Sequence, residues 1–151
     1  RELGGELHDR LSRLGAEAIV AAIDEWQAGR ITPVTQPAEG ATYAAKLSKA
    51  EARIDWSQPA VAIDRQVRAF NPWPVAETTW DGKQLRVWQC EPEPLVAGAA
   101  PGTVLESSGG RIVVATGDGA LRLLQLQLAG RRAMSAAEFL NANALAGARL
   151  G

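Results

Sequence analysis

Cysteine, histidine and methionine occur once each, and the hydrophobic runs are short, so much chemistry is excluded at the outset. The lone Cys90 allows no internal disulfide and no cysteine-based structural zinc site. The lone His8 removes most histidine-dependent metal sites and leaves a single imidazole for acid–base work. No stretch approaches the roughly 18–20 apolar residues of a membrane-spanning helix. A phosphate-cradling glycine loop is lacking as well. Gly117-Asp118-Gly119 falls between two predicted strands, a context in which it reads as a turn. What is present is the composition of a globular chain: 151 residues, 46% hydrophobic and 22% charged. The sequence opens on Arg1 and its only methionine is Met134, so it reads as a piece of a longer protein.

The net charge of −1 averages two unlike parts. Residues 1–41 carry four arginines against seven acidic side chains, and residues 42–151 carry twelve basic against ten acidic. A weak basic excess in the larger part permits a phosphate-bearing partner without demanding one, and the pI of about 5.9 is far from that of a strongly basic nucleic-acid binder. Thirteen of the sixteen basic residues are Arg, which suits bidentate phosphate contact, although a GC-rich genome produces the same bias.

Leu7, Leu11, Leu14, Ala18, Ala22 and Trp26 recur at spacings of three and four, with Ile19 and Ile23 widening the stripe, so the chain begins with a long amphipathic helix that Gly29 stops. Residues 30–42, with Pro33, Pro37 and Gly40, read as a linker. Ser48 and Glu51 form a capping-box pattern for a short turn at 49–53, and Ser57 opens a second helix with Pro59 in its first turn. Ala60, Ile63, Val67 and Phe70 are its buried stripe. After Pro74 the period switches to two. Strands at 75–80 and 83–90 flank Asp81-Gly82, a type I′ hairpin signal that sets Glu77 opposite Arg86 and Ala76 opposite Val87. Further strands are predicted at 103–107, 111–116 and 121–128, and Ser135 with Glu138 starts a last helix through Leu140. The fold class is therefore mainly β with helices: a small closed OB-like β-barrel with flanking short helices, preceded by one long amphipathic helix and a linker.

No self-contained active site emerges. His8 and Asp9 are adjacent, which points them to different helix faces rather than into a dyad. Ser107, Ser108 and Ser135 have no nearby general base, and Asp55 and Asp64 read as solvated helix acids. Cys90 alternates with Trp88 on one strand face, ordinary core usage. Trp56, Trp73, Trp80 and Trp88 can stack bases, but core packing is the expected use, and Trp73 between Pro72 and Pro74 is read as wholly structural. Binding is the better-supported chemistry. Lys46, Lys49 and Arg53 cluster at the turn after the linker, Arg65 and Arg68 lie one helical turn apart, and Arg131 and Arg132 follow the last strand. These are candidate phosphate contacts. Solvated surface charge is the alternative, with Arg86 neutralised by Glu77 across the hairpin.

The stretch Thr42-Tyr43-Ala44-Ala45-Lys46-Leu47-Ser48-Lys49, continuing through Glu51-Ala52-Arg53-Ile54-Asp55-Trp56, resembles the entry to the C-terminal domain of methionyl-tRNA formyltransferases. Arg68-Ala69-Phe70-Asn71-Pro72-Trp73-Pro74 is similar to that family's central signature. Ala115–Gly119 and Gly130-Arg131-Arg132-Ala133-Met134-Ser135 through Asn141 are similar to its closing segment. Glu6–Leu11 and Leu14–Ala16 resemble the last long helix of its catalytic domain.

The resemblance implies an enzyme that moves a formyl group from 10-formyltetrahydrofolate to the methionyl amino group on initiator tRNA in translation initiation. An N-terminal Rossmann-like domain would hold the donor and an Asn–His–Asp set, and an OB-like C-terminal domain would grip the tRNA backbone. It divides the chain into the last catalytic-domain helix (1–29), a linker (30–42) and the tRNA-binding domain (43–151). The segments bearing the catalytic set are absent from the sequence, and neither His8 nor Asn71 matches one. No catalytic residue, cofactor or metal is therefore expected in this chain, which alone should be inactive. Lys46 and then Lys49 match the family's basic residues at the linker–barrel junction, and Arg131 and Arg132 fall in its closing segment. Initiator methionyl-tRNA and the enzyme's own catalytic domain are the implied partners, in the cytoplasm and without membrane contact. Two other readings stay open: the C-terminal module of a related formyltransferase or formyltetrahydrofolate hydrolase, and a structural module whose basic clusters face the acidic first helix.

Overall fold

A computed structural model of the chain describes residues 1–94 and 98–151. Helix α1 (Gly4–Gln27) is followed by an exposed stretch without helix or strand, a 3-10 turn (Lys49–Ala52) and helix α2 (Ala60–Ala69). Strands β1 (Glu77–Trp80), β2 (Lys83–Glu93), β3 (Val104–Ser108), β4 (Arg111–Ala115), β5 (Ala120–Leu128) and β6 (Met134–Ser135) come next, and helix α3 (Ala136–Ala142) follows. The strands form one antiparallel sheet in the order β1-β2-β5-β4-β3, with β6 beside β5.

The hairpin chemistry acts as read. Asp81 and Gly82 take φ of 50° and 69°, the mirror-image turn that suits twisted strands, and the register sets Glu77 opposite Arg86. Alternation then sends Leu85 and Val87 of β2, Ile112 and Val114 of β4, and Leu121 and Leu123 of β5 into one core. Ile63 and Val67 of α2 close this core, and so does Phe139 of α3, whose ring meets Trp80 edge-on at 5.8 Å.

The sheet is OB-like but its barrel is not closed by strand pairing, because β1 and β3 form opposite ends of the ladder. The last residues of the chain cross that gap. Val104 donates to the Ala148 carbonyl at 2.9 Å, Leu150 to Gly102 at 2.8 Å, and Gly151 to Thr79 at 3.2 Å. Ile54 covers the start of β1 by donating to Glu77 at 2.8 Å. Both edges thus find partners outside the sheet.

Several local expectations need correction. Helix α2 begins at Ala60 rather than at Ser57. Pro59 is its N-cap, the Ala60 amide is taken by the Asp118 carbonyl at 2.8 Å, and Ser57 instead donates to Asp55. Register shifts around Gln89 break the alternation of Trp88 with Cys90, leaving Cys90 buried and Trp88 half-buried. Strand β2 runs on through Pro92, which is tolerated because beyond Val87 it ladders with β5 on one edge and with no described strand on the other. Trp73 is 53% exposed, since Pro74, Val75 and Ala76 take the interior at that reversal.

Helix α1 carries its apolar stripe yet buries none of it; Leu11, Leu14, Ile23 and Trp26 are exposed. Only its start docks. The Gly5 amide donates to the Asn71 carbonyl at 2.8 Å, and a Cβ at Gly4 would lie 2.4 Å from the Ala69 oxygen, so glycine is required for that approach.

Candidate nucleic-acid interface

Lys46 precedes the 3-10 turn and Lys49 opens it. The turn is fixed locally, with the Glu51 carboxylate accepting the Ser48 amide at 2.6 Å and Ala52 buried beneath. It is also fixed globally: Gln66 of α2 donates to the carbonyls of Glu51 at 2.8 Å and Arg53 at 3.2 Å. With the turn held, the side chains of Lys49 and Arg53 remain exposed, as does that of Lys46 just ahead of it. None of the three has a carboxylate within ion-pair distance among the described residues, and the same holds for exposed Arg65 and Arg131.

Register brings the far cluster onto the same side. Arg53 bridges to Glu77, Glu77 pairs with Arg86, and Arg86 pairs with Gln127. Residues paired in this way share a sheet face, and strands lie about 4.8 Å apart, so the row spans about 14 Å. At its end Gln127 accepts the Trp88 indole N–H at 2.8 Å and donates to the Arg131 carbonyl at 2.7 Å. Arg53 and Gln127 therefore mark two ends of one outer row with Arg86 between them, and the Arg131 backbone adjoins the Gln127 end. The expected neutralisation of Arg86 by Glu77 is not made as an ion pair. Gln84 takes the Glu77 carboxylate, and the Arg86 Nε is buried without a partner.

The remaining two candidates are committed elsewhere. Arg68 bonds Asp64 at 3.1 Å and the Glu2 carbonyl at 3.2 Å, on the opposite flank of α2 from Gln66. Asp64, expected to be solvated, is 5% exposed and also pairs with Arg1. The position was readable in retrospect, since it extends the Ala60, Ile63, Val67 stripe and sits four residues before Arg68. Burial, reinforced by the Asp64 carboxylate 3.9 Å from its sulfur, pushes the Cys90 thiol well up, so this is an unreactive core thiol.

Arg132 donates to Glu138 at 2.8 Å. The capping box does form there, with the Glu138 amide donating to Ser135 Oγ at 3.2 Å and the Ser135 amide to Glu138 at 2.9 Å. Arg132 first, then Ser135, hold the Glu138 carboxyl down at about 2, below its ordinary 4.5. A depressed carboxyl stabilises the fold above its unfolded value, and that contribution is lost as pH falls toward about 2. Ser135→Ala should cost about 1 kcal/mol in denaturant unfolding. Glu138→Gln should be less stable than the parent near neutrality, the difference shrinking between about pH 4.5 and the folded value. A pH-independent difference would contradict the capping role.

No catalytic constellation accompanies these residues. His8 is exposed, and it touches Asp9 at 3.3 Å instead of diverging from it, both side chains standing in solvent. Among the described residues no group of three or more His, Cys, Asp or Glu could hold a metal, and no helix is long and apolar enough to cross a membrane. Arg86 and Arg149 are exposed or half-exposed cations that sequence reasoning passed over. Arg86 was explained away by its cross-strand acid, and Arg149 lay in a segment with no periodic signal.

Comparison with known proteins gives this arrangement its family. Methionyl-tRNA formyltransferase of Methylococcus capsulatus is 48% identical over 145 residues, covering 96% of this chain and 47% of that protein. Those of Nitrosococcus oceani and Xanthomonas campestris are 47% and 50% identical, covering 96% and 94% of this chain and 45% and 47% of theirs. The chain thus spans about half the length of the curated relatives it matches. Among solved structures, HypX from Aquifex aeolicus superposes with a TM-score of 0.61 at 23% identity, over 83% of this chain and 22% of that one. HypX in complex with tetrahydrofolic acid gives 0.59 at 24%, over 82% and 22%, a likeness of fold. Residues 46–144, from the first predicted lysine to just beyond α3, match the family described as formyl transferase, C-terminal domain, and the chain belongs to it.

Proposed function

We propose that this chain is the RNA-gripping C-terminal part of a methionyl-tRNA formyltransferase, holding initiator methionyl-tRNA by its backbone while formyl transfer from 10-formyltetrahydrofolate proceeds elsewhere in the enzyme. The observation that carries the reading is that five of the predicted contact residues, Lys46, Lys49, Arg53, Arg65 and Arg131, are exposed without a carboxylate partner among the described residues. Lys49, Arg53, Arg65 and Arg131 stand on backbone fixed by the 3-10 turn, by α2 and by the sheet, so their spacing is set before RNA arrives, and Lys46 lies just ahead of that turn. Arg68 and Arg132, each already holding a carboxylate, add field more than direct contact. The near 50% identity to proteins named for that reaction supports the same reading. A purely structural module would cover the basic clusters with α1, yet Lys46, Lys49, Arg131 and Arg132 are all exposed.

On this reading the formyl donor is held by the catalytic domain and not by the described residues. Formyl transfer by this chain alone should be undetectable. A cytoplasmic location follows from the proposed role in translation initiation.

The salt dependence of tRNA binding tests the reading. Five cations each meeting one phosphate predict a slope of log K against log salt of about −3.5 to −4.5. A flat dependence, or no binding at low salt, would contradict it.

A further inference from the structure

Where the C-terminal residues cross from β3 to β1 they leave an open groove of about 720 Å³ against the segment that covers the start of β1. Its lining includes three buried side chains, Ile54, Trp56 and Leu150, together with Arg53 and Arg149. Both arginines have fixed backbones. Arg53 is held by Gln66 and by its bridge to Glu77. Arg149 bridges to Thr103 and lies between two hydrogen-bonded neighbours, Ala148 and Leu150. A Cβ at Gly102 would lie 2.4 Å from the Leu150 oxygen, and Gly102 has φ +87°, so the approach that seats this segment depends on that glycine.

The two guanidiniums share with Arg65, Arg86 and Arg131 the lack of an ion-pair partner among the described residues, whereas seven other arginines are paired. Arg53 and Arg149 are without one although Asp55 lines the same groove. The Asp55 oxygens are already occupied by the Ser57 amide at 2.9 Å, the Ser57 hydroxyl at 2.6 Å and Gln58 at 3.1 Å. Those hydrogen bonds, from the Ser57 hydroxyl first, hold its carboxyl below the ordinary range. An apolar floor beneath two unpaired guanidiniums matches a nucleotide, which offers an apolar base or sugar face and an anionic phosphate. The volume is also within the range of about 300–1,000 Å³ usual for such ligands.

We propose that this seam groove seats one nucleotide of the bound RNA, its phosphate held between Arg53 and Arg149, so that the C-terminal segment forms part of the RNA-binding surface. The inference rests on the RNA-binding reading above, and its test separates the two. Binding of initiator tRNA to this chain is measured over a salt series for the parent, Arg149→Gln, Arg53→Gln, the double variant and Lys46→Gln. Arg149→Gln should weaken binding about fivefold to tenfold and reduce the salt slope by about one. The double variant should lose less than the product of the two single losses, because both side chains serve one phosphate. Arg149 is exposed, so its thermal unfolding should match the parent's. An unchanged Arg149→Gln beside a weakened Lys46→Gln would overturn the groove and leave the broader reading standing. If neither variant changes the affinity, both fall.

Discussion

Replacing Lys46 and Lys49 together by Glu should weaken binding of initiator tRNA about a hundredfold at moderate salt, with no loss of fold. Each reversal removes one favourable phosphate contact and sets a like charge against the backbone. Lys46 precedes and Lys49 opens a turn whose conformation depends on Ser48, Glu51, Ala52 and Gln66, none of which is altered. The right control is Lys83→Glu. Lys83 opens β2 at the hairpin tip with Asp81 3.8 Å away, so its charge is already partly offset and it stands outside the proposed contact set. Equal losses for the control and for the pair would show a diffuse charge effect, and the turn would lose its special status.

Gly117→Ala should be the most damaging single methyl in the described chain, destabilising by more than about 3 kcal/mol or preventing folding. A Cβ at Gly117 would lie 1.7 Å from the Ser57 carbonyl oxygen and 2.6 Å from its carbon, both rigid backbone. The Gly117 amide donates to Trp56 at 2.9 Å and to Gln58 at 3.1 Å, and Pro59 bridges to Asp118 next to it. This loop therefore locks the β4–β5 turn to the entry of α2 and supplies the Ala60 amide with its acceptor. Separating the two backbones would release both. Gly130→Ala has open space around its Cβ, so its cost comes only from its positive φ of 72° and should be near 1 kcal/mol. Denaturant unfolding of the two variants compares a clash with a conformational preference. Near-equal costs would contradict the clash.

These effects show what the sequence made legible and what it left hidden. Alternation after Pro74, the Asp81-Gly82 turn and the Ser135–Glu138 cap are local codes, each readable within about a dozen residues, and each stands in the structure. Gly117 was legible only as a turn glycine, because its reason is the backbone of Ser57, sixty residues away in sequence. Closure of the sheet by residues 148–151 was hidden for the same reason: no pattern in four residues announces the edges they will meet. In the candidate interface, charge and spacing picked out Lys46, Lys49 and Arg53. They could not separate Arg65, which is unpaired, from Arg68, which is spent on a buried aspartate. Arg149 had no helical or strand neighbour to mark it, and only the seam brings it into one groove with Arg53.

The sequence's three lysines provide the most direct test of the central claim, that this domain grips RNA through the turn after the linker. Lysine acetylation of the chain, with and without initiator tRNA, is read residue by residue by mass spectrometry. Lys46 and Lys49 should be protected by tRNA at low salt and reactive again at high salt, while Lys83 should label equally in all conditions. Uniform labelling of all three lysines in the presence of saturating tRNA, or protection confined to Lys83, would contradict the account.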